Sequence, residues 1–218
     1  MTVAEGPGTA NLVARAQNIL MKPTAEWQVI HGESATTQGL FTGYAAILAV
    51  LPLLGTLIGR VLFGGMIGGG LGMGMALTGG LVLGILSYVL NLVMVFVMGI
   101  IINAFASSFD AKPDSIQAMK VSVYAGTALW VAGLVSWIPV IGWLIGLAAL
   151  AYTCYLLYLG LKLVMQPPAD KALVYTLVTI GAQIGLYIVA GIVIGMVTAM
   201  FFIGAAATGA AALGAMPR

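Results

Sequence analysis

Polar residues punctuate this chain at a few points only, and the apolar runs between them predict its architecture. Val121 to Ser136 and Trp143 to Leu161 carry no charge at all and flank the turn Trp137-Ile138-Pro139-Val140-Ile141-Gly142. A helix needs about 20 apolar residues to cross a hydrocarbon core of about 30 Å. Two such runs joined by a Pro-Gly turn read as a transmembrane helical hairpin. Three more apolar runs give five predicted spans in all: residues 40–63, 81–105, 121–136, 141–163 and 172–204. The first holds Pro52, which frees a carbonyl and favours a kink. The last is longer than a bilayer requires, so it must tilt, break or emerge.

The segments between the runs differ in kind. Residues 1–39 read as an N-terminal segment with an amphipathic helix. At 100° per residue Leu12, Val13, Ala16, Ile19 and Leu20 fall on one side, and Arg15, Gln17, Asn18 and Lys22 on the other. Lys22-Pro23 breaks this helix, and Thr24 is placed to cap a second one carrying Trp27 and Ile30. Trp27 beside Lys22 suits a membrane interface, and it suits equally a helix packed on the ends of the protein's own spans. Gly64 to Gly80 is apolar but glycine-rich, and glycine costs roughly 1 kcal/mol against alanine in a helix, so it reads as a flexible or re-entrant connection. Ala106 to Lys120 is an aqueous loop, Lys162 to Lys171 a polar turn, and the Ala/Gly-rich tail 205–218 is expected to fray.

Composition agrees with a membrane chain. Of 218 residues 61% are hydrophobic and 6% charged, against about 25% charged in soluble domains. Lipid must therefore be the solvent. A net charge of +2, scattered along the chain, gives no footprint for nucleic acid. The single cysteine, Cys154, excludes an internal disulfide and lies in an apolar run, as a small buried hydrophobe would. The first forty residues lack a long apolar core, so no cleavable leader is expected. With five spans and a cytoplasmic N-terminus, Arg15, Lys22, Lys112, Lys120, Lys162 and Lys171 lie inside, and only Arg60 and Arg218 outside. The positive-inside rule thus predicts an N-in, C-out, all-α membrane protein.

Motifs for catalysis are missing: there is no His-Glu-x-x-His, Gly-x-Ser-x-Gly or phosphate loop, so neither enzyme nor cofactor is expected. His31, the only histidine, reads as a solvated interfacial residue. Asp110 and Asp114, with Asn103 or Ser107, offer oxygens for a divalent cation, but a solvated turn or a helix cap is the commoner use. Within the spans Asn91, Asn103, Gln183, Tyr155 and Tyr158 are the candidate polar positions. They suit interhelical hydrogen bonds better than a solute pathway, and no acid stands at a midplane. Glycines four apart (Gly55 and Gly59, Gly142 and Gly146, Gly181 and Gly185, Gly191 and Gly195) allow close helix contact within the bundle or between copies.

Several stretches resemble bacterial Yip1-domain membrane proteins. Leu12 to Trp27 (Leu-Val-Ala-Arg-Ala-Gln-Asn-Ile-Leu-Met-Lys-Pro-Thr-Ala-Glu-Trp) is similar to their opening, and Leu134 to Trp143 to their hairpin turn. Tyr155 to Leu161, followed by a proline break and Asp170-Lys171-Ala172-Leu173, is similar to the end of their fourth span. Two departures stand out: Ala128 after Thr127, and Lys162 after Leu-Gly-Leu, occupy positions where many members carry proline. The resemblance implies five spans, a cytosolic N-terminus and a place in a bacterial inner membrane. Eukaryotic relatives look like adaptors that associate with Rab-type GTPases, a role that does not carry over to a bacterial chain. The expectation is a non-enzymatic adaptor or organiser acting through protein or lipid contacts. Its partner face would comprise Lys22, Pro23, Trp27, Asp110, Lys112, Asp114, Lys120, Lys162 and Lys171. Its partners would be the bilayer and a second copy or another membrane protein. The competing expectation is a small-solute channel or transporter lined by Asn91, Gln183 and the tyrosines of the fourth span.

Overall fold

The computed structural model describes the backbone of residues 9–67 and 72–214 and the side chains of residues 11–63 and 79–200. Among the described residues the chain is helical and has no strand. Helices α1 (Thr9–Met21) and α2 (Pro23–Gly32) meet at the expected break. Pro23 takes the first helical position, where its missing N–H costs nothing, and Lys22 rather than Thr24 precedes it as the cap residue. Three pieces make the first span. α3 (Thr37–Leu40), capped by the Thr36 hydroxyl accepting from Gly39 N–H, leads through a π turn at Phe41–Ala45 into α4 (Ala46–Leu48). After Ala49 the chain resumes as α5 (Val50–Ile67). Pro52 explains the break, since it has no N–H for the Leu48 carbonyl one turn back.

The glycine–methionine stretch differs from its expectation. Far from a flexible or re-entrant link, most of it is helix: α5 runs on to Ile67, and α6 (Gly72–Ala106) starts well before Leu81. Residues 68–71 lie outside the described residues. The glycine penalty is a solvent-referenced one; in an apolar medium an unpaired backbone group costs several kcal/mol, which favours the helix.

The third run departs most. In place of one helix over 121–136 there are two, α7 (Ser115–Ala125) and α8 (Thr127–Gly133), interrupted at Gly126. Asp114 starts α7 early, its carboxylate accepting from the N–H groups of Ile116 and Gln117. At the interruption the Thr127 hydroxyl donates to the Tyr124 carbonyl, a back-bond that bends helices. Together α7 and α8 lie antiparallel to α6: Met119 packs on Gly99, the Ser122 hydroxyl donates to Val95 O at 2.5 Å, and Trp130 Nε1 donates to Asn91 Oδ1 at 2.8 Å.

The hairpin turn is present, and it is strained. Val140 has φ 64° and ψ −56°, and Ile141 N–H donates to Pro139 O at 2.7 Å. This is a γ-turn of the rare hand, with a β-branched residue at its centre. α9 (Ile141–Gly160) follows, then a π turn at Leu161–Met165. α10 (Ala172–Gly214) is a single 43-residue helix, about 65 Å at 1.5 Å per residue. It is unbroken, which leaves tilting or emerging of the three alternatives, and it continues as helix past 205, where fraying was expected; residues 215–218 lie outside the described residues. Among the described residues four helices are long and apolar enough to cross a membrane: Thr37–Phe63, Gly79–Phe109, Ile141–Met165 and Ala172–Met200.

Candidate functional site

The core is concentrated at one end of the bundle, where α1, α2, the 106–114 loop, α7 and the 161–171 turn come together. Leu12, Ala16, Ile19, Trp27 and Ile30 are buried there, and so is Arg15, with 9% of its surface exposed. Arg15 lies beside the Leu12–Ala16–Ile19 stripe, and not on the solvent side as the periodicity suggests. Its guanidinium reaches Glu26 and Glu33, each at 2.5 Å, and stands over the Tyr124 ring at 5.9 Å. Burial alone would lower its pKa, but the hydrogen bond and charge of Glu33 outweigh that and raise it. Arg15 therefore stays charged.

A second cation is enclosed beside it. Lys120 is 2% exposed, and its ammonium donates to the carbonyls of Ile30 at 2.8 Å and Glu33 at 2.5 Å. Burial pushes its pKa below the usual lysine range, while Glu33 and Asp114 pull the other way. Aromatic rings close the knot: Trp27 meets Tyr124 edge-on at 6.3 Å, and Tyr44 meets Tyr124 at 4.6 Å while sharing a 2.8 Å hydrogen bond with Thr127. Gly160 makes room for Trp27, since a Cβ there would approach the indole to 2.9 Å. The N-terminal helices thus pack on the protein's own spans, the second of the two placements open from the sequence.

The predicted partner residues divide into two groups. Trp27 and Lys120 are internal and tie α2 to α7. Lys22, Lys112, Asp114 and Lys162 are exposed on this same end, with Pro23 half-buried next to Lys22. Lys162 extends over the Tyr158 ring at 5.7 Å. Asp110, in a left-handed conformation at φ 53°, pairs with Lys171, and that carboxylate raises the lysine pKa. Asp114 serves as the α7 cap described above. Hydrogen bonds to backbone carbonyls hold the segments together: Lys112 N–H to Met165 O, Gln117 Nε2 to His31 O, and Tyr152 hydroxyl to Leu20 O. Half-buried, His31 is less solvated than expected. Arg15, Glu26 and Glu33 went unrecognised because their partners are 11 and 18 residues apart in sequence. The signal on hand was Arg15 standing three residues from Leu12 and four from Ile19, on the edge of the apolar stripe.

The Yip1 domain family model matches residues 18–192. The chain belongs to the Yip1 family. It is 31% identical over 157 residues to the inner membrane protein YohC of Escherichia coli K12, covering 71% of this chain and 80% of that one. The same figures hold for YohC of E. coli O6:H1. No solved structure gives a significant match. Near Ala128 and Lys162 the chain has a helix interruption at Gly126 and a π turn at Leu161–Met165.

The intramembrane polar positions do not converge. Asn91 accepts from Trp130, and Asn103 Nδ2 donates to Ser115 at 3.3 Å. Tyr155 and Tyr158 belong to α9, where Tyr155 is 5.7 Å from the Tyr152 ring. A cleft of about 360 Å³ between α5, α6 and α10 is lined by Asn91 with Thr56, Arg60, Ser87 and Tyr88, but not by Gln183, Tyr155 or Tyr158.

Proposed function

We propose that this chain is a non-enzymatic adaptor or organiser of the inner membrane, acting through the polar face at the N-terminal end of the bundle. The observation that carries the reading is convergence. Three segments separated by long apolar runs meet there and present Lys22, Lys112, Asp114 and Lys162 to solvent, over a knot that holds them rigid. A rigid, charged platform is suited to recognising another protein or anionic headgroups, because little ordering entropy remains to be lost on binding. In this reading α7–α8 serves as a fifth pass, which puts the basic end in the cytoplasm and the C-terminus in the periplasm. YohC is named an inner membrane protein, which is consistent with that location.

Replacing Lys22, Lys112 and Lys162 together with alanine leaves the knot and the Asp114 cap of α7 intact. The variant is expected to express and melt as wild type while losing whatever protein co-purifies in mild detergent. Unchanged recovery of that protein would remove this face from the proposal. A second reading, passage of a small solute, draws on the cleft that contains Asn91. Flux into liposomes that Asn91→Leu reduces would favour it.

A further inference from the structure

The cleft has features that the adaptor reading leaves unused. Its floor is at Ala49 and Asn91, and its mouth at Arg60 and Gly80. Eleven residues separate floor from mouth on each helix, about 16 Å, or roughly half of a 30 Å hydrocarbon core. Asn91 lies near the middle of the Gly79–Phe109 span, so the cleft extends from the membrane centre towards the end opposite the N-terminal helices. Both α5 and α10 pack along α6, and the cleft lies between them within the apolar spans.

Its lining specifies the occupant. The walls are Ala49, Pro52, Leu53, Leu83 and Ile194. The hydroxyls along it are turned into backbone: Thr56 donates to Pro52 O at 2.9 Å, Ser87 to Leu83 O at 2.7 Å and Tyr88 to Ala46 O at 3.0 Å. A path for a polar solute would want those donors turned inward to replace lost water. With its donors turned away, the length of the cleft suits hydrocarbon. Among the described residues one charged side chain lines it, Arg60. A Cβ on Gly80 would come within 2.2 Å of Arg60 Cδ and 2.5 Å of Nε, so the arginine stem lies directly across α6 at this glycine. One turn on, Gly84 gives the same clearance to Leu53, at 2.4 Å. A guanidinium at headgroup depth, above a hydrocarbon slot one leaflet long, matches a phosphate joined to an acyl chain.

We propose that this cleft binds one phospholipid of the leaflet opposite the N-terminal face, its phosphate at Arg60 and one acyl chain reaching towards Asn91. The test uses the full-length protein, stripped of lipid in detergent, titrated with phosphatidylglycerol and read by native mass spectrometry. Wild type should hold one lipid per chain. Arg60→Lys should keep it within a few-fold, and Arg60→Gln should weaken it by about tenfold or more, the worth of a charge-assisted bond. Thr56→Trp fills the cleft and leaves the charge in place, so it should also lose the lipid, and it tests the cleft by itself if Arg60→Gln fails to fold. Neither change touches the N-terminal face, so recovery of a protein partner should persist. Lipid retention by both Arg60→Gln and Thr56→Trp at the wild-type level would overturn the proposal. Arg60-dependent binding of inorganic phosphate without retained lipid would overturn it too, and would mark an ion site.

Discussion

The two ends of this bundle are built on different principles. At the N-terminal end the protein buries charge, aromatic rings and aliphatic side chains as a soluble domain does, with Arg15, Lys120, Trp27, Tyr124 and Ile30 removed from solvent. At the opposite end the helices are held by close backbone approach. A Cβ on Gly55 would come within 2.2 Å of the Gly133 carbonyl, and one on Gly133 within 2.5 Å of the Pro52 ring. There Leu62, Ile85, Ile188 and Met196 face outward, as lipid-facing residues would. The difference shows what each medium supplies. Next to water a hydrophobic core and paired charges are available as adhesive; in hydrocarbon only packing and a few hydrogen bonds remain.

The comparison can be broken most directly at Arg15. Arg15→Ala leaves Glu26 buried without its cation and should cost about 3–5 kcal/mol, read as a large fall in melting temperature in detergent. Arg15→Met with Glu26→Leu should recover much of it, because paired charges replaced by packed hydrophobes are often neutral. A melt unchanged by Arg15→Ala would mean that the knot does not carry this end.

At the other end Gly55→Leu should force α5 away from Gly133, costing about 1–3 kcal/mol as an overpacking change. The same variant should leave the polar platform in place, so protein recovery should survive it. Trp130→Phe removes the bond to Asn91 while keeping an aromatic ring, and should cost about 1 kcal/mol. The smallest effect belongs to Lys171→Ala: its ion pair with Asp110 is exposed, and the melt should not move measurably. A clear shift there would mean that the outer ion pair, and not the enclosed Arg15 cluster, clamps the 106–114 loop to the 161–171 turn.

Much of the fold was legible because hydrophobic run length and helical period depend on local composition. The break at Lys22-Pro23, the discontinuity associated with Pro52, the hairpin at Pro139 and the starts of α9 and α10 follow from residues within one turn of each. The misread elements share a cause. Glycine's penalty made Gly64–Gly80 look unhelical, although most of it is helix when lipid is the solvent. The uncharged stretch 121–136 looked like one helix, whereas its start was set by the Asp114 cap and its interruption by Gly126 and Thr127. Among the candidate partner residues, Lys22, Lys112 and Lys162 lie exposed, since isolated cations in polar turns find their partners in water. Trp27 and Lys120 were assigned to the same surface and proved internal.

By itself the sequence determined that this is a helical membrane protein of the Yip1 family with a polar N-terminal segment. Those properties are sums over neighbouring residues. Only the tertiary structure decided that Arg15 would be buried, that Lys120 would bond to backbone 90 residues away, and that Arg60 would lie across Gly80 at the mouth of a cleft. Each depends on a partner brought close by packing, and the local pattern around a charge does not say whether water or another side chain will satisfy it.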